Sequence, residues 1–414
     1  MISERSVMAM NFQPTTIEDV VSNGLCAGCG ACAGVVPKDV VRMELTAAGY
    51  LRPKAKQSLD AVQQRSALVA CPSVRLEHSD IEAKNLRIWG PTRTVATAFS
   101  TDIEIRQLGS SGGVVSALVL YLLESGSVDF VAQVAVSEED PLTNRVQQSR
   151  TREDVLHAAG SRYAPAAPLD RISEFLDTGE RFAFVGKPCD VAALRALAKV
   201  DERVNRQVPY MISFMCAGVP SIEGTHALLK KMGVASEEVV GFRYRGDGWP
   251  GMAKAITRDG RVAEMDYNAS WGSVLNRYLQ YRCKICPDGT GEFADVVCAD
   301  AWYGVDGYPD FTERDGRSLL LARTAAGEKL VAMAVESGRI STDSISIEDV
   351  AKMQPYQVNR KQMVLGRLVA TLVRRGKVPS FWNLGLLRAS FSAKPISWLR
   401  SAWGAYKRAD GELN

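Results

Sequence analysis

Histidine is scarce in this chain: His78, His157 and His226 are the only three in 414 residues. None sits in a visible nucleophile–base motif, so hydrolytic catalysis has little to work with, and each is read as structural or exposed. Charge bias is also missing. Lys and Arg total 50 against 47 Asp and Glu, a net charge of +3. With no zinc-finger, RNA-recognition or helix-turn-helix signature, that balance excludes a nucleic-acid partner. No apolar run reaches the roughly 20 residues a bilayer needs. The longest, 114–123, reads as a buried helix. The first ten residues lack a leader's apolar core. The expected location is therefore cytoplasmic, where thiols stay reduced. There is no Walker loop, no G-x-G-x-x-G, no internal repeat and no low-complexity tract.

What is present is cysteine, nine residues of it. In a reducing compartment these point to metal or redox chemistry and not to disulfides. The first group reads Cys26-Ala-Gly-Cys29-Gly-Ala-Cys32-Ala-Gly-Val-Val36-Pro37. The bacterial ferredoxin run is C-x2-C-x2-C-x3-C-P, and its fourth cysteine ligates the other cluster. Here Val36 stands in that place, and three cysteines need a remote Cys-Pro. Cys71-Pro72 supplies it. Cys26, Cys29, Cys32 and Cys71 are therefore assigned to one 4Fe-4S cluster. Small residues between them let backbone N–H groups approach the sulfurs. A four-cysteine zinc site is the alternative.

A second group is less specific. Cys283-Lys-Ile-Cys286-Pro is a lone C-x2-C. Cys189 follows a strand-to-helix junction and Cys216 follows a strand, positions where open α/β sheets place ligands. The four either converge on a second cluster or leave Cys189 and Cys216 as small buried hydrophobes. Cys298, inside a strand-like run, reads as core.

From Pro91 onward strands and helices alternate, predicting an α/β core. Strands are expected at 93–100, 130–136, 182–185, 208–214, 239–245 and 252–257. Helices are expected after Gly113, at 190–200 and at 221–232, with helical texture at 270–280 and a strand–helix pair at 318–337. Ser110-Ser111-Gly112-Gly113 leads straight into a helix and can cradle an anion on its free N–H groups. A plain tight turn is an equal reading. Ser161, Arg162 and Tyr163 add a cation and an aromatic face. The stretch from Phe242 through Arg245 to Trp249 either serves a site or is a surface turn with solvated arginines. Clusters move single electrons, so a flavin that couples them to two-electron chemistry is expected near this cradle.

Taken in order, these stretches resemble one family, the beta subunits of coenzyme F-420-reducing hydrogenases and dehydrogenases. The resemblance covers roughly 20–330. It is carried by the three-cysteine loop, Gly109-Ser-Ser-Gly-Gly-Val-Val, Ala159-Gly-Ser-Arg-Tyr, Val185-Gly-Lys-Pro-Cys-Asp, Phe214-Met-Cys-Ala-Gly-Val-Pro, Tyr244-Arg-Gly-Asp-Gly-Trp, Arg282-Cys-Lys-Ile-Cys-Pro and Phe293-Ala-Asp-Val-Val-Cys-Ala-Asp-Ala-Trp-Tyr-Gly. The family includes ferredoxin-dependent reductases of chlorophyll metabolism. The resemblance implies FAD and one or two 4Fe-4S clusters, and it favours the second ligand set. It places Ser110 to Gly113, Ser161 to Tyr163 and Lys187 along the flavin, and Asp300, Trp302 and Gly304 near the active centre. The family often has a small residue then Gly-Asp where this chain has Cys298-Ala-Asp300, so the last role is less secure.

The expected architecture is a mixed-sheet flavin-binding α/β core, 91–345, with a small ferredoxin-like iron–sulfur cap, 1–90, held by its metal, and a helical basic tail, 346–414. The expected activity is an iron–sulfur flavoprotein reductase. It takes electrons from a ferredoxin-like donor, through clusters to flavin, and delivers hydride to a small organic substrate. The alternatives are an electron-transfer subunit without its own substrate, and a zinc-stabilised binding protein. A homo-oligomer stays open. The tail's basic residues interleaved with Trp, Leu and Tyr are read as a helix packed on the body, with peripheral membrane contact as the second reading.

Overall fold

The structure, a computed structural model, describes residues 12–78, 88–305 and 308–409. Its centre is one eight-stranded mixed sheet. In chain order the strands are β1 (Thr94–Ser100), β2 (Phe130–Val136), β3 (Asn144–Ser149), β4 (Phe182–Gly186), β5 (Tyr210–Phe214), β6 (Val296–Asp300), β7 (Ser318–Ala322) and β8 (Ile340–Ser344). Across the sheet they run β8-β1-β7-β6-β5-β4-β2-β3. The neighbours β2, β4, β5 and β6 are mutually parallel. The pairs β6–β7, β7–β1, β1–β8 and β2–β3 are antiparallel.

The helices that matter are α1 (Val114–Glu124), α2 (Pro188–Leu197), α3 (Ile222–Lys231), α4 (Ala325–Glu336), α5 (Pro355–Arg375), α6 (Leu386–Phe391) and α7 (Pro395–Arg408). Strand alternation explains why β7 is buried throughout. Leu319 and Leu321 enter the core on one sheet face, Leu320 and Ala322 the core on the other. Helices α1 and α4 cover the second of these faces with Leu118, Leu122, Leu330 and Val331.

The expected strands and helices of 91–345 appear apart from the helical texture at 270–280, and the structure adds β3, β8 and further short elements. The strand β3 is too polar to announce itself. Its Ser149 Oγ accepts from Gln147 Nε2 and, across the edge pair, from Gln133 Nε2. A third strand, Val262–Met265, joins Ala253–Thr257 and Val239–Arg243 in a small antiparallel sheet. The stretch expected as helix at 270–280 is instead a π turn, Asn268–Gly272, then a 3-10 turn, Leu275–Tyr278. The irregularity lets Trp271 reach Tyr163 while Leu275 stays buried beside Tyr244.

The N-terminal region is more than a metal-held cap. It contains a hairpin, Val41–Leu45 with Leu51–Ala55, and a helix, Ala61–Val69, capped by Asp60. Val36, in the absent cysteine's place, packs with Ile17, Val40 and Ala67. Arg75–Glu77 pairs in parallel with Ser380–Trp382. Phe12, Val20 and Leu25 share a core with Val364, Leu368 and Phe381. The two ends of the chain therefore close on each other.

Candidate functional site

Parallel strands deliver their C-terminal ends to one edge of the sheet. Lys187 and Cys189 follow β4, Cys216 follows β5 and Asp300 ends β6. Above this edge lies a cavity of about 630 Å³. Ser110, Ser111, Gly113, Ser161, Arg162, Tyr163, Lys187, Asp300 and Trp302 all line it, and so does Cys216. Gly112 and Gly304 do not. The Gly112 N–H donates to Ser318 Oγ at 2.9 Å, and Gly304 pairs with Pro309 in a two-residue bridge.

At one end stands the cradle. Gly113 caps α1 at φ 71° with no side chain bonded to the helix's free N–H groups. A Cβ there would lie 2.6 Å from the Ile105 carbonyl, so only glycine fits. The Ser161 N–H donates to Ser110 Oγ at 2.5 Å, tying the two expected segments together. Arg162 departs from expectation. Its guanidinium donates to Asn144 Oδ1 and to the carbonyls of Pro141, Thr143 and Phe242. It braces the wall instead of offering a free cation. Tyr163 does present a ring, 4.6 Å from Trp271.

At the other end Arg245 is only 2% exposed, so the reading of solvated arginines in a surface turn is corrected. It meets Asp300 through two bonds, 2.8 and 3.0 Å, and donates to the Pro250 carbonyl. Its guanidinium lies 4.4 Å from the Tyr267 ring centre and 5.4 Å from that of Trp302. Burial opposes its charge, but Asp300 together with Tyr163 and Tyr267 outweighs burial and raises its pKa. Trp249 Nε1 also donates to Asp300, at 2.7 Å, and its ring stacks on Trp302 at 4.9 Å. Phe311 closes this aromatic end.

Between the ends, Lys187 Nζ bonds Asp190 Oδ2 at 2.7 Å. Burial opposes the ammonium, yet Asp190, Cys189 and Cys216 raise its pKa.

The thiols form two neighbouring groups. Cys32 feels the charge of Cys26, Cys29 and Cys71, and Cys71 that of Cys26. The four assigned to the first cluster thus lie within reach of one another's charge. Gly34 lets this loop approach the Leu169 carbonyl, which a Cβ would meet at 1.9 Å. Cys216 feels Cys283 and Cys286, and Cys189 feels both Cys216 and, in the first group, Cys29. Gln280 Nε2 links the loops, donating to the Ala27 carbonyl and to Cys283 Sγ. Burial pushes Cys71 up to about 11 and Cys216 to about 12, so a bound metal must displace protons. Burial alone raises Cys298, which has no thiol neighbour of this kind.

Two arginines test the fit of an anionic cluster, and neither stood out in the sequence. Arg282, 2% exposed, acts on Cys71. It donates to the Pro72 carbonyl and lies over Phe381, while its Nε and Nη1 have no hydrogen-bond partner among the described residues. Arg360 donates to the carbonyls of Cys216 and Cys283 and leaves Nε without one. A buried guanidinium with unmet donors and no carboxylate calls for negative charge, and a thiolate-ligated cluster supplies it. Both sets fit such a group. Among the described residues no three His, Cys, Asp or Glu side chains are gathered closely enough to hold a single metal ion. Adjacency to Cys283 was the one sequence signal for Arg282, and Arg360, distant in the chain, had none.

The coenzyme F420 hydrogenase/dehydrogenase beta-subunit models match this chain, the N-terminal one over 95–173 and the C-terminal one over 179–348. A coenzyme F420 hydrogenase beta subunit of Methanococcus voltae is 29% identical over 67% of this chain and 96% of its own. A coenzyme F420-dependent sulfite reductase of Methanocaldococcus jannaschii is 27% identical over 83% of this chain, but only half of that protein is matched. The chloroplastic 7-hydroxymethyl chlorophyll a reductase of Oryza sativa is 25% identical over 56% of this chain and 48% of its own. In fold, a chain of the F420-reducing [NiFe] hydrogenase complex of Methanosarcina barkeri superposes with TM-score 0.53 at 23% identity, covering 69% of this chain and 95% of that one.

Proposed function

We propose a function from the premise that this chain belongs to the coenzyme F420 hydrogenase/dehydrogenase beta-subunit family. It is an oxidoreductase that accepts electrons from a ferredoxin-like donor and reduces a small organic substrate, using two 4Fe-4S clusters and FAD. The carrying observation is continuity. Cys189, in the second thiol group, feels the charge of Cys29 in the first, and Cys216, also in the second, is part of the cavity wall.

Bound in the cavity, FAD would exchange single electrons for hydride. The residues do the rest. The cradle and the open N-terminus of α1 hold anionic phosphate. Tyr163 and Trp271 offer ring faces. Lys187 keeps a positive charge beside the cavity and Cys216. Asp300 fixes Arg245 between Tyr267 and Trp302, leaving a flat aromatic end for substrate. Cys26, Cys29, Cys32 and Cys71 ligate the first cluster, and Cys189, Cys216, Cys283 and Cys286 the second. Arg282 and Arg360 offset their charge.

Anaerobic purification with iron and flavin counts tests this reading. About eight irons and one flavin are expected. A colourless protein overturns it, and about four irons removes the second set. A second reading, an electron-transfer subunit without its own substrate, draws on relatives named as subunits. Turnover of a small molecule by the isolated chain and a reduced donor decides between them.

A further inference from the structure

Residues 355–408 contain eleven Lys and Arg and no Asp or Glu. Charge is nearly balanced over the whole chain, so this segment gathers an excess that the rest offsets. It forms α5, α6 and α7, the last packed along α5. Trp398 lies against Gly366 and donates its indole N–H to Ser390 Oγ, Arg367 Nε donates to Ser401 Oγ, and Ala405 is buried. That side of α7 is anchored to the body.

The opposite side is not a solvated polar face. Ile396, Leu399 and Trp403 are 66%, 62% and 58% exposed, and Phe391 at the end of α6 is 83% exposed. At the helical pitch, Ile396, Leu399, Trp403, Arg400 and Lys407 fall within an arc of about 100°. Lys407 Nζ lies 5.1 Å from the Trp403 ring centre, and Trp403 stacks on Tyr406 at 5.6 Å. No carboxylate pairs with Arg400 or Lys407 among the described residues. The tail is thus packed on the body, as expected, and still presents an apolar ridge among cations.

We propose that α6 and α7 form a docking surface for an anionic lipid membrane. The chemistry of the ridge selects that occupant. Aliphatic and indole groups enter the boundary between headgroups and acyl chains, while Arg400, Lys407 and Lys394 reach anionic phosphates on flexible stems. A second copy of the chain would bring like charges face to face, and no helix among the described residues is long and apolar enough to cross a membrane. The protein therefore lies on the bilayer and does not span it. This surface is independent of the redox reading.

Flotation of the full-length, cofactor-loaded protein with phosphatidylcholine vesicles, with and without phosphatidylglycerol, tests the assignment. The protein floats with the anionic vesicles and is released by high salt. The variant R400Q/K407Q, at exposed positions, binds roughly twenty- to thirtyfold more weakly, about fivefold per basic residue at an anionic surface. The variant I396S/L399S/W403S loses binding with its visible spectrum and circular dichroism unchanged. Should this triple variant unfold, the charge variant alone carries the decision. Failure to float with anionic vesicles overturns the proposal, as does equal recovery with and without phosphatidylglycerol. A dimer in sedimentation equilibrium that W403S dissolves also overturns it, assigning the ridge to a second copy.

Discussion

Val36 occupies the place where a ferredoxin would carry its last cysteine, and it is buried among Ile17, Val40 and Ala67. One side chain thus turns a ligand position of the ferredoxin run into core, and Cys71 is the remote ligand we propose for the three cysteines that remain. Cys71→Ser is expected to cost as much iron as Cys29→Ser, about four of about eight atoms per chain. Cys298→Ser should cost none, because burial alone perturbs Cys298. Iron counts on the three variants check this, and an intact cluster in the Cys71 variant refutes the remote-ligand assignment. Asp300 shows the other side of single-residue logic. Replacing it by Asn leaves Arg245 buried without its counter-charge, a loss of about 3–5 kcal/mol. Thermal unfolding should show it, and a wild-type melting curve would mean that the aromatic rings alone hold Arg245.

The helix α5 does more than its tail-like position in the chain suggests. Arg360 holds the carbonyls of Cys216 and Cys283, and Lys361 bonds Glu292 and the Pro287 carbonyl. One turn of helix therefore clamps the second thiol group. Glu292 is buried, which by itself would raise its pKa, but Lys361 and His78 pull it down to about 2. A carboxyl depressed in the fold below its ordinary 4.5 adds stability that is complete above pH 4.5 and fades as pH falls toward 2. Glu292→Gln removes that dependence and strands Lys361, so unfolding at neutral pH should move by about 3–5 kcal/mol and its acid limb flatten. Denaturant melts at several pH values measure both. This clamp was not legible in the sequence, where Arg360 and Lys361 look like two more charges in a basic stretch. The strand β7, buried on both faces, was legible because Ser-Leu-Leu-Leu-Ala admits little else. Periodicity reports burial, and it carries no word on which carbonyl a distant arginine will find.

Across the whole molecule the same division holds. The α/β core could be read from pattern, since strands and helices alternate along 91–345 and sheet connectivity brings successive strand ends to one edge. The joint core of the two chain ends could not, because Arg75–Glu77 and Ser380–Trp382 are short strands made only by their pairing. Nor could the aromatic end, whose members Tyr267, Trp302 and Phe311 come from separate loops. What the assembled molecule adds is adjacency: the first thiol group neighbours the second through Cys29 and Cys189, and the second neighbours the cavity through Cys216. If that adjacency is the route of electrons, Cys216→Ser should separate two functions that one cavity joins. Flavin stays bound, because the cradle and Tyr163 are untouched. The first group keeps its iron, because none of its ligands has changed. Reduction of the flavin by a ferredoxin-like donor then falls to the rate seen without donor, while a small chemical reductant still bleaches it fully. Stopped-flow absorbance on wild type and variant reads both rates. Donor-driven bleaching at the wild-type rate would show that electrons reach the cavity by another path and that the second group serves structure alone.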